Sequence, residues 1–314
     1  MDQLPDPVTY AIPAFIVLMA AEIIAYRRRG ERGTAGYESR DTLTSLLLGL
    51  GNTVAGALFG AAIVAVLVWG YRFHLFEIGY AWWAFPVAFV LDDLAYYWYH
   101  RIGHRSRWFW AAHVIHHSSQ HYNLSTALRQ TWTGFFTFGV LFRLPLVLVG
   151  FPPALVLFVG GINLIYQFWI HTELIRRFPP WFEGVMNTPS HHRVHHAINP
   201  KYLDSNYAGV FIVWDRLFGT FVPEDADGEG AEPIRYGIVR QLGSFNLLWA
   251  AFHEWIGMAR DAWAAPWGAK LGYLWREPGW SHDGSRDTSD TIKQKWTARE
   301  QRRRGGMNEG RARI

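Results

Sequence analysis

Long apolar runs set the terms for any fold this chain can adopt. Residues 8–26 (VTYAIPAFIVLMAAEIIAY) and 43–70 (LTSLLLGLGNTVAGALFGAAIVAVLVWG) are each long enough to cross a bilayer. A third run covers 81–99. Two more, 131–149 and 153–171, meet at a tight Gly150-Phe151-Pro152-Pro153 turn. Backbone amides in hydrocarbon have no water to bond, so such runs are helices. The expected fold class is therefore all-α: a polytopic membrane helical bundle of about four to five hydrophobic segments. A cleavable leader is the alternative for 8–26. However, Arg27, Arg28 and Arg29 lie on the wrong side of the run, and no small-residue cleavage site follows.

Charge sets the expected orientation. Five arginines (27, 28, 29, 32 and 40) fall between the first two runs, whereas the 71–80 loop carries only Arg72. The positive-inside rule then puts 27–42 in the cytoplasm and the N-terminus outside. On that count the third run delivers His100 to the cytoplasmic face, and the 131–171 hairpin returns His171 to the same face. Arg143 interrupts the fourth run, marking a protein-lined cavity or a segment that enters less deeply than a full span. Glu22 is expected to reach the interface. Residues 241–279 mix aromatics with Glu254, Arg260, Asp261 and Lys270, which suits an amphipathic segment lying in the interface. Residues 280–314 read as a polar, disordered tail. The organisation is thus 1–80 membrane segments, 81–240 a histidine-rich domain, then these two parts.

The histidines are not scattered. Of 14, His100 and His104 are four apart, His113, His116 and His117 follow at i, i+3, i+4, and His192, His195 and His196 repeat that spacing. On a helix these spacings place imidazoles on one face. Neutral imidazole suits Fe, Zn, Cu and Ni, and a metal takes about four to six ligands, so this many histidines imply roughly two metals. The chain has 0 Cys, so neither thiolate ligands nor disulfides are available. A net charge of +4 with basic residues at segment ends fits a membrane better than nucleic acid. His74, His253 and His282 read as interface or surface groups. His121 follows the first block off its pattern. Asp93 shares a stripe with Tyr97, His100 and His104, and is placed to accept an N–H from a ligating imidazole. Asp92 reads as interfacial. Glu173 and Asp215 are further carboxylate candidates, and Arg129 and Arg193 are candidates to meet a polar head group.

The H-x3-H, H-x2-H-H and H-x2-H-H boxes resemble those of the fatty acid hydroxylase/sterol desaturase superfamily of membrane di-iron oxygenases. HHSSQHYNLSTALRQ (116–130), YQFWIHTE (166–173), NTPSHHRVHH (187–196) and NYAGVFIVWDRLFGTF (206–221) are most similar to its ether-lipid-cleaving, alkylglycerol monooxygenase-like branch. The resemblance spans about 80–240. It implies two iron ions in a cytosol-facing, histidine-rich cap, with His100, His104, His113, His116, His117, His171, His192, His195 and His196 as ligands and His191 as an additional candidate. Some relatives have a further histidine where this chain has Gln167, so that glutamine, a water or His191 would complete that shell. Asp93 and Glu173 are the carboxylates closest to a catalytic role. The resemblance also implies O2, a membrane lipid substrate, and an external electron donor: tetrahydrobiopterin, or a cytochrome or ferredoxin system. Residues 245–282 are more like bacterial sterol-desaturase-family chains of unassigned substrate. Three functions follow: hydroxylation of a lipid alkyl or acyl chain, including ether cleavage; desaturation with the same metals; or non-enzymatic metal binding in the membrane. The cavity serving the metals is expected among the spans.

Overall fold

The structure, a computed structural model, describes residues 4–29, 36–225 and 232–311. Arg32 and most of the acidic 224–233 loop lie outside them. Helices and turns account for the regular structure among the described residues, with two isolated β-bridges, Met186 to Phe211 and Ala197 to Tyr236.

Helices α1 (Pro7–Arg29) and α2 (Ser39–Tyr71) are long and apolar enough to cross a membrane. At 33 residues α2 measures about 50 Å, longer than the hydrocarbon core of a bilayer. Its middle carries exposed Leu50, Val54 and Leu58, and α1 exposes Ile16 and Val17. Apolar side chains left bare in this way suit lipid. Both helices also have an inner face. Phe15 of α1 stacks on Phe168 at 4.1 Å. Glu22 is buried rather than interfacial, accepting from Tyr37 (2.6 Å), the Leu124 amide (2.8 Å) and the Thr172 hydroxyl.

Helix α3 (Ala84–Arg105) runs directly into α4 (Arg107–His117), with the extended Ser106 as the corner between them. A single turn, α5 (Leu124–Ala127), follows. The fourth apolar run is not a continuous span. Residues 131–149 form two 3₁₀ turns and the short α6 (Leu144–Val149). Gly134, Gly139 and Pro145 weaken the helix, and Phe138 turns left-handed at φ 52°. Arg143 bends inward to pair with Asp92 at 2.6 Å, so Asp92 is a buried ion-pair partner and not an interfacial charge. Gly150, at φ 130°, then turns the chain into α7 (Pro153–Trp169); a Cβ there would lie 1.9 Å from the Phe76 carbonyl oxygen. The α3 and α7 helices pack together, sharing with α2 and α6 a core that includes Leu67, Ala88, Val147 and Leu155.

Short helices follow: α8 (Pro180–Glu183), α9 (Pro189–His195) and α10 (Val213–Leu217). Helix α11 (Leu247–Ala264) lies on α4 and α2, burying Ala250 and Ala251 against Leu48 and Ile115. Its outward residues and those of the turn that follows, including Trp263, Trp267 and Leu271, are exposed. After α12 (Gly272–Trp275), the stretch read as a disordered tail forms α13 (Ser289–Arg311). The charges that made it look solvated have partners: Asp290 binds Arg105 at 2.7 Å, and Arg286 binds Asp261 at 2.5 Å.

Candidate metal centre

Nine of the sequence's candidate ligands converge, in two groups. His100 and His104 from α3, His113 and His117 from α4, and His195 from α9 form one; His116, His171, His192 and His196 form the other. Within each group the potential donor nitrogens lie within 4.8 Å of one another. The groups adjoin, since the His117 and His196 rings stack at 4.3 Å.

Backbone and side-chain acceptors fix the rings. His100 Nδ1 donates to the Tyr207 carbonyl (2.8 Å), His195 Nδ1 to Ser205 (3.0 Å), His171 Nδ1 to Gln167 (2.7 Å) and His116 Nδ1 to Arg129 (3.3 Å). His104 Nδ1 faces the Asp204 carboxylate at 3.3 Å. With Nδ1 holding the proton, each Nε2 presents a lone pair to the centre. Those atoms crowd together. His100, His113, His117 and His195 are linked through Nε2 contacts of 2.9, 3.0 and 3.2 Å, and His116, His171, His192 and His196 through contacts of 3.3, 2.9 and 3.1 Å. His104 Nε2 is buried without a partner. Lone pairs facing one another repel unless a cation lies between them. Metal–nitrogen bonds of about 2.1 Å put neighbouring ligands about 3.0 Å apart in an octahedral arrangement, matching the observed edges. The residues therefore fit two transition-metal ions. Burial pushes the imidazoles of His113, His117, His192, His195 and His196 well below their ordinary pKa, and His116 to about 4, so they are neutral at pH 7, the form that can bind a metal.

A cavity of about 1070 Å³ reaches this centre, touching His104, His117, His195 and His196. It lies between α4, α11 and the 278–292 stretch rather than among the spans. Its walls combine Trp110, Val114 and Trp249 with Arg107, which α11 neutralises through Glu254 (2.6 Å) and Asp261 (2.7 Å).

The fatty acid hydroxylase family profile matches residues 85–220, the stretch that contains all nine of these histidines. Residues 85–220 are thus similar to the fatty acid hydroxylase family. The whole chain is 37% identical to the alkylglycerol monooxygenase of Danio rerio over 90% of its own length, and 36% identical to that of Homo sapiens over 89%. It spans 61% of the length of each. An ornithine lipid hydroxylase of Rhizobium tropici is 26% identical over 68% of this chain and 66% of its own. No solved structure matches the chain.

Within the matched stretch, several residues sit elsewhere than their sequence positions implied. Asp93 meets none of the imidazoles. Its carboxylate accepts from the Val210 and Phe211 amides (2.8 and 2.9 Å), the Trp214 indole (2.9 Å) and Asn163 (2.9 Å). Asp215 accepts from the Tyr207 and Ala208 amides, both at 2.8 Å. The two carboxylates therefore clamp the loop that orients His100. Glu173 accepts from Tyr236 at 2.5 Å, and Tyr236 stacks on Tyr122, which lies against His171 and His196. His191 falls outside both groups, with Nε2 4.0 Å from Glu183. Gln167 donates its amide to Asn163 at 2.6 Å and contributes its backbone carbonyl to His171. His121 is also outside both groups.

Neither arginine is free for a head group. Arg129 is buried on Asp41 at 3.0 Å, and Arg193 on Glu224 at 2.7 Å and the carbonyls of Thr172, Ile175 and Arg176. The sequence reading missed Asp204. Its signal was the Asp-Ser-Asn run, a turn composition, in which Asp204 and Asn206 both take positive φ.

Proposed function

We propose that this is a membrane-bound, di-iron lipid monooxygenase, its metal cap facing the cytoplasm, which hydroxylates an alkyl or acyl chain with O2. The observation that carries the reading is the pair of adjoining all-nitrogen cradles inside a stretch similar to the fatty acid hydroxylase family. Iron held there and reduced by an external donor supplies the O2 activation that an unactivated C–H bond requires. Similarity to alkylglycerol monooxygenases makes a glycerol alkyl ether the favoured substrate.

This chain's own residues hold and shield. Nδ1 protons locked on the Tyr207, Ser205, Gln167 and Arg129 carbonyls remove those imidazoles from proton transfer and aim Nε2 inward. The partly apolar walls at Trp110, Val114 and Trp249 suit a lipid chain beside the metals. Hydroxylation at the carbon next to the ether oxygen gives a hemiacetal. Its C–O bond breaks to release a fatty aldehyde and the glycerol hydroxyl, while the second O2 oxygen leaves as water at the cost of two donor electrons and two protons.

The test is turnover of an alkylglycerol in lipid nanodiscs by the iron-loaded chain under ¹⁸O2, with tetrahydrobiopterin and a ferredoxin system supplied in parallel. The expected product is fatty aldehyde carrying ¹⁸O. A new C=C bond without label points to desaturation. A metal-replete protein that consumes no O2 across ether lipids, fatty acids and sterols sinks both enzyme readings.

A further inference from the structure

The C-terminal stretch lies outside the matched stretch, yet a chain of charges connects it to one metal cradle. His104 Nδ1 faces Asp204 Oδ1 at 3.3 Å, and Asp204 Oδ2 lies 3.6 Å from Arg105. Arg105 makes a two-pronged bond to Asp290 (3.0 and 2.7 Å) and a third contact with Glu277 (2.9 Å). The backbone joins in, with the Arg107 amide donating to the Arg276 carbonyl at 2.8 Å. Residues 276–290 thus form a strap along one wall of the cavity, and Asp204 and His104 line the same cavity.

Asp204 differs from the other ring anchors of its cradle. His100 and His195 donate to backbone carbonyls, whereas His104 faces a carboxylate. A carboxylate behind an imidazole fixes the tautomer and makes the metal-facing nitrogen more basic. At 3.3 Å this contact is at the long edge for such a bond, so its quality depends on what else holds Asp204 in place. The charged groups near Asp204 are Lys293 of α13 and Arg105, and Arg105 is held by the strap.

We propose that Asp204 is a positioning residue that strengthens His104 as a ligand, and that the 276–290 strap, through Arg105, sets how firmly it does so. This rests on the reading that the five-histidine cradle holds a metal, and is independent of the substrate. The strap then ties metal retention to whether the C-terminal stretch is docked.

Cobalt(II) titration of the metal-stripped full-length chain in detergent, followed by d–d absorption, tests it. Wild type should take two equivalents. His171→Ala should leave the one held by the cradle containing His104. In that background Asp204→Asn should weaken binding about 10–100-fold, and Asp204→Glu should recover part of it. Asparagine tolerates the φ of 48° as aspartate does, so the exchange adds no backbone strain. Glu277→Gln with Asp290→Asn should weaken the same equivalent several-fold, and should still report on the strap if position 204 proves intolerant. In a His195→Ala background Asp204→Asn should leave the other cradle unchanged. Unaltered affinity in Asp204→Asn, or equal weakening of both cradles, overturns the proposal. A wild-type chain that binds no cobalt overturns it together with the di-metal reading, whereas wild-type binding with an indifferent Asp204 overturns it alone.

Discussion

Asp93 offers a measurable separation between anchoring and chemistry. Its carboxylate, fully buried, receives four donors: two backbone amides, an indole and a side-chain amide. Asp93→Ala strands all four. A buried donor left without an acceptor costs about 1–3 kcal/mol, and water entering the space of a lost carboxylate relieves part of the total. A destabilisation of about 4 kcal/mol is expected, near the upper range for single substitutions. Asp93→Asn keeps one acceptor oxygen but turns an N–H toward donors, so it should fall between, at about 2 kcal/mol. The assay is equilibrium unfolding of the metal-stripped protein in mixed micelles, with metal content measured in parallel on folded material. Asp215 still holds the Tyr207 amide, but loss of the Asp93 half of the clamp loosens the continuation of the loop whose Tyr207 carbonyl accepts from His100. Metal should therefore be lost first from the five-histidine cradle, with the four-histidine cradle retained. A variant within about 1 kcal/mol of wild type that still loses metal or turnover would refute the anchoring argument and return Asp93 to the chemistry.

Gly209 should resist substitution, because a Cβ there would sit 2.7 Å from both Asp93 Oδ1 and Asn163 Oδ1. Gly209→Ala is expected to cost about 1–3 kcal/mol in the same unfolding assay. Asp92 is buried and Arg143 half-buried, so removing either partner alone should cost up to about 3 kcal/mol, whereas Asp92→Leu combined with Arg143→Met should recover most of it; a double-mutant cycle reads the difference. His171→Ala should lower bound metal from two equivalents to one by elemental analysis, because it removes one of only four donors in its group. The metal-free protein should lose stability as pH falls from about 6.5 toward 4. Burial depresses His116 to about 4, and several neighbours go below their ordinary value, so the unfolded chain takes up protons that the folded chain refuses. Stability is then full above pH 6.5, and a denaturation midpoint that stays flat between pH 7 and 5 would contradict it.

The convergence of the histidines was legible because helical phase turns H-x3-H and H-x2-H-H into one-sided clusters, and nothing else on the chain mimics that pattern. His171 came only from its resemblance to a motif; a lone histidine after an apolar helix has no phase to betray it. Ring anchors were illegible for a different reason. Backbone carbonyls of Tyr207, Ser205, Gln167 and Arg129 belong to residues of any type, so no side chain announces them. Arg129 and Arg193 misled because an arginine paired in the interior and one reaching for a head group look identical in a sequence. Residues 131–149 misled because composition outweighed Gly134, Gly139 and Pro145 in the hydropathy reading. The polar C-terminal stretch misled in the opposite direction, since its carboxylates and arginines were counted as solvated while their partners lie 25 to 185 residues away.

The two cradles are held by different kinds of structure, and this has a consequence. In the four-histidine cradle, His171 donates to the carbonyl one turn back, Gln167, at the end of α7 itself. That bond comes with the helix. In the five-histidine cradle, His100, His104 and His195 all lean on the loop from Asp204 to Tyr207, which belongs to neither α3 nor α9. Two buried carboxylates, Asp93 from α3 and Asp215 from α10, hold the continuation of that loop by its amides. Fixing three imidazoles therefore depends on one segment whose backbone takes positive φ at Asp204 and Asn206, a conformation that persists only while its surroundings impose it. The five-histidine cradle has more donors yet rests on the more easily displaced support. Perturbations of the loop, of its carboxylate clamps or of the C-terminal strap should converge on this one cradle and spare the other.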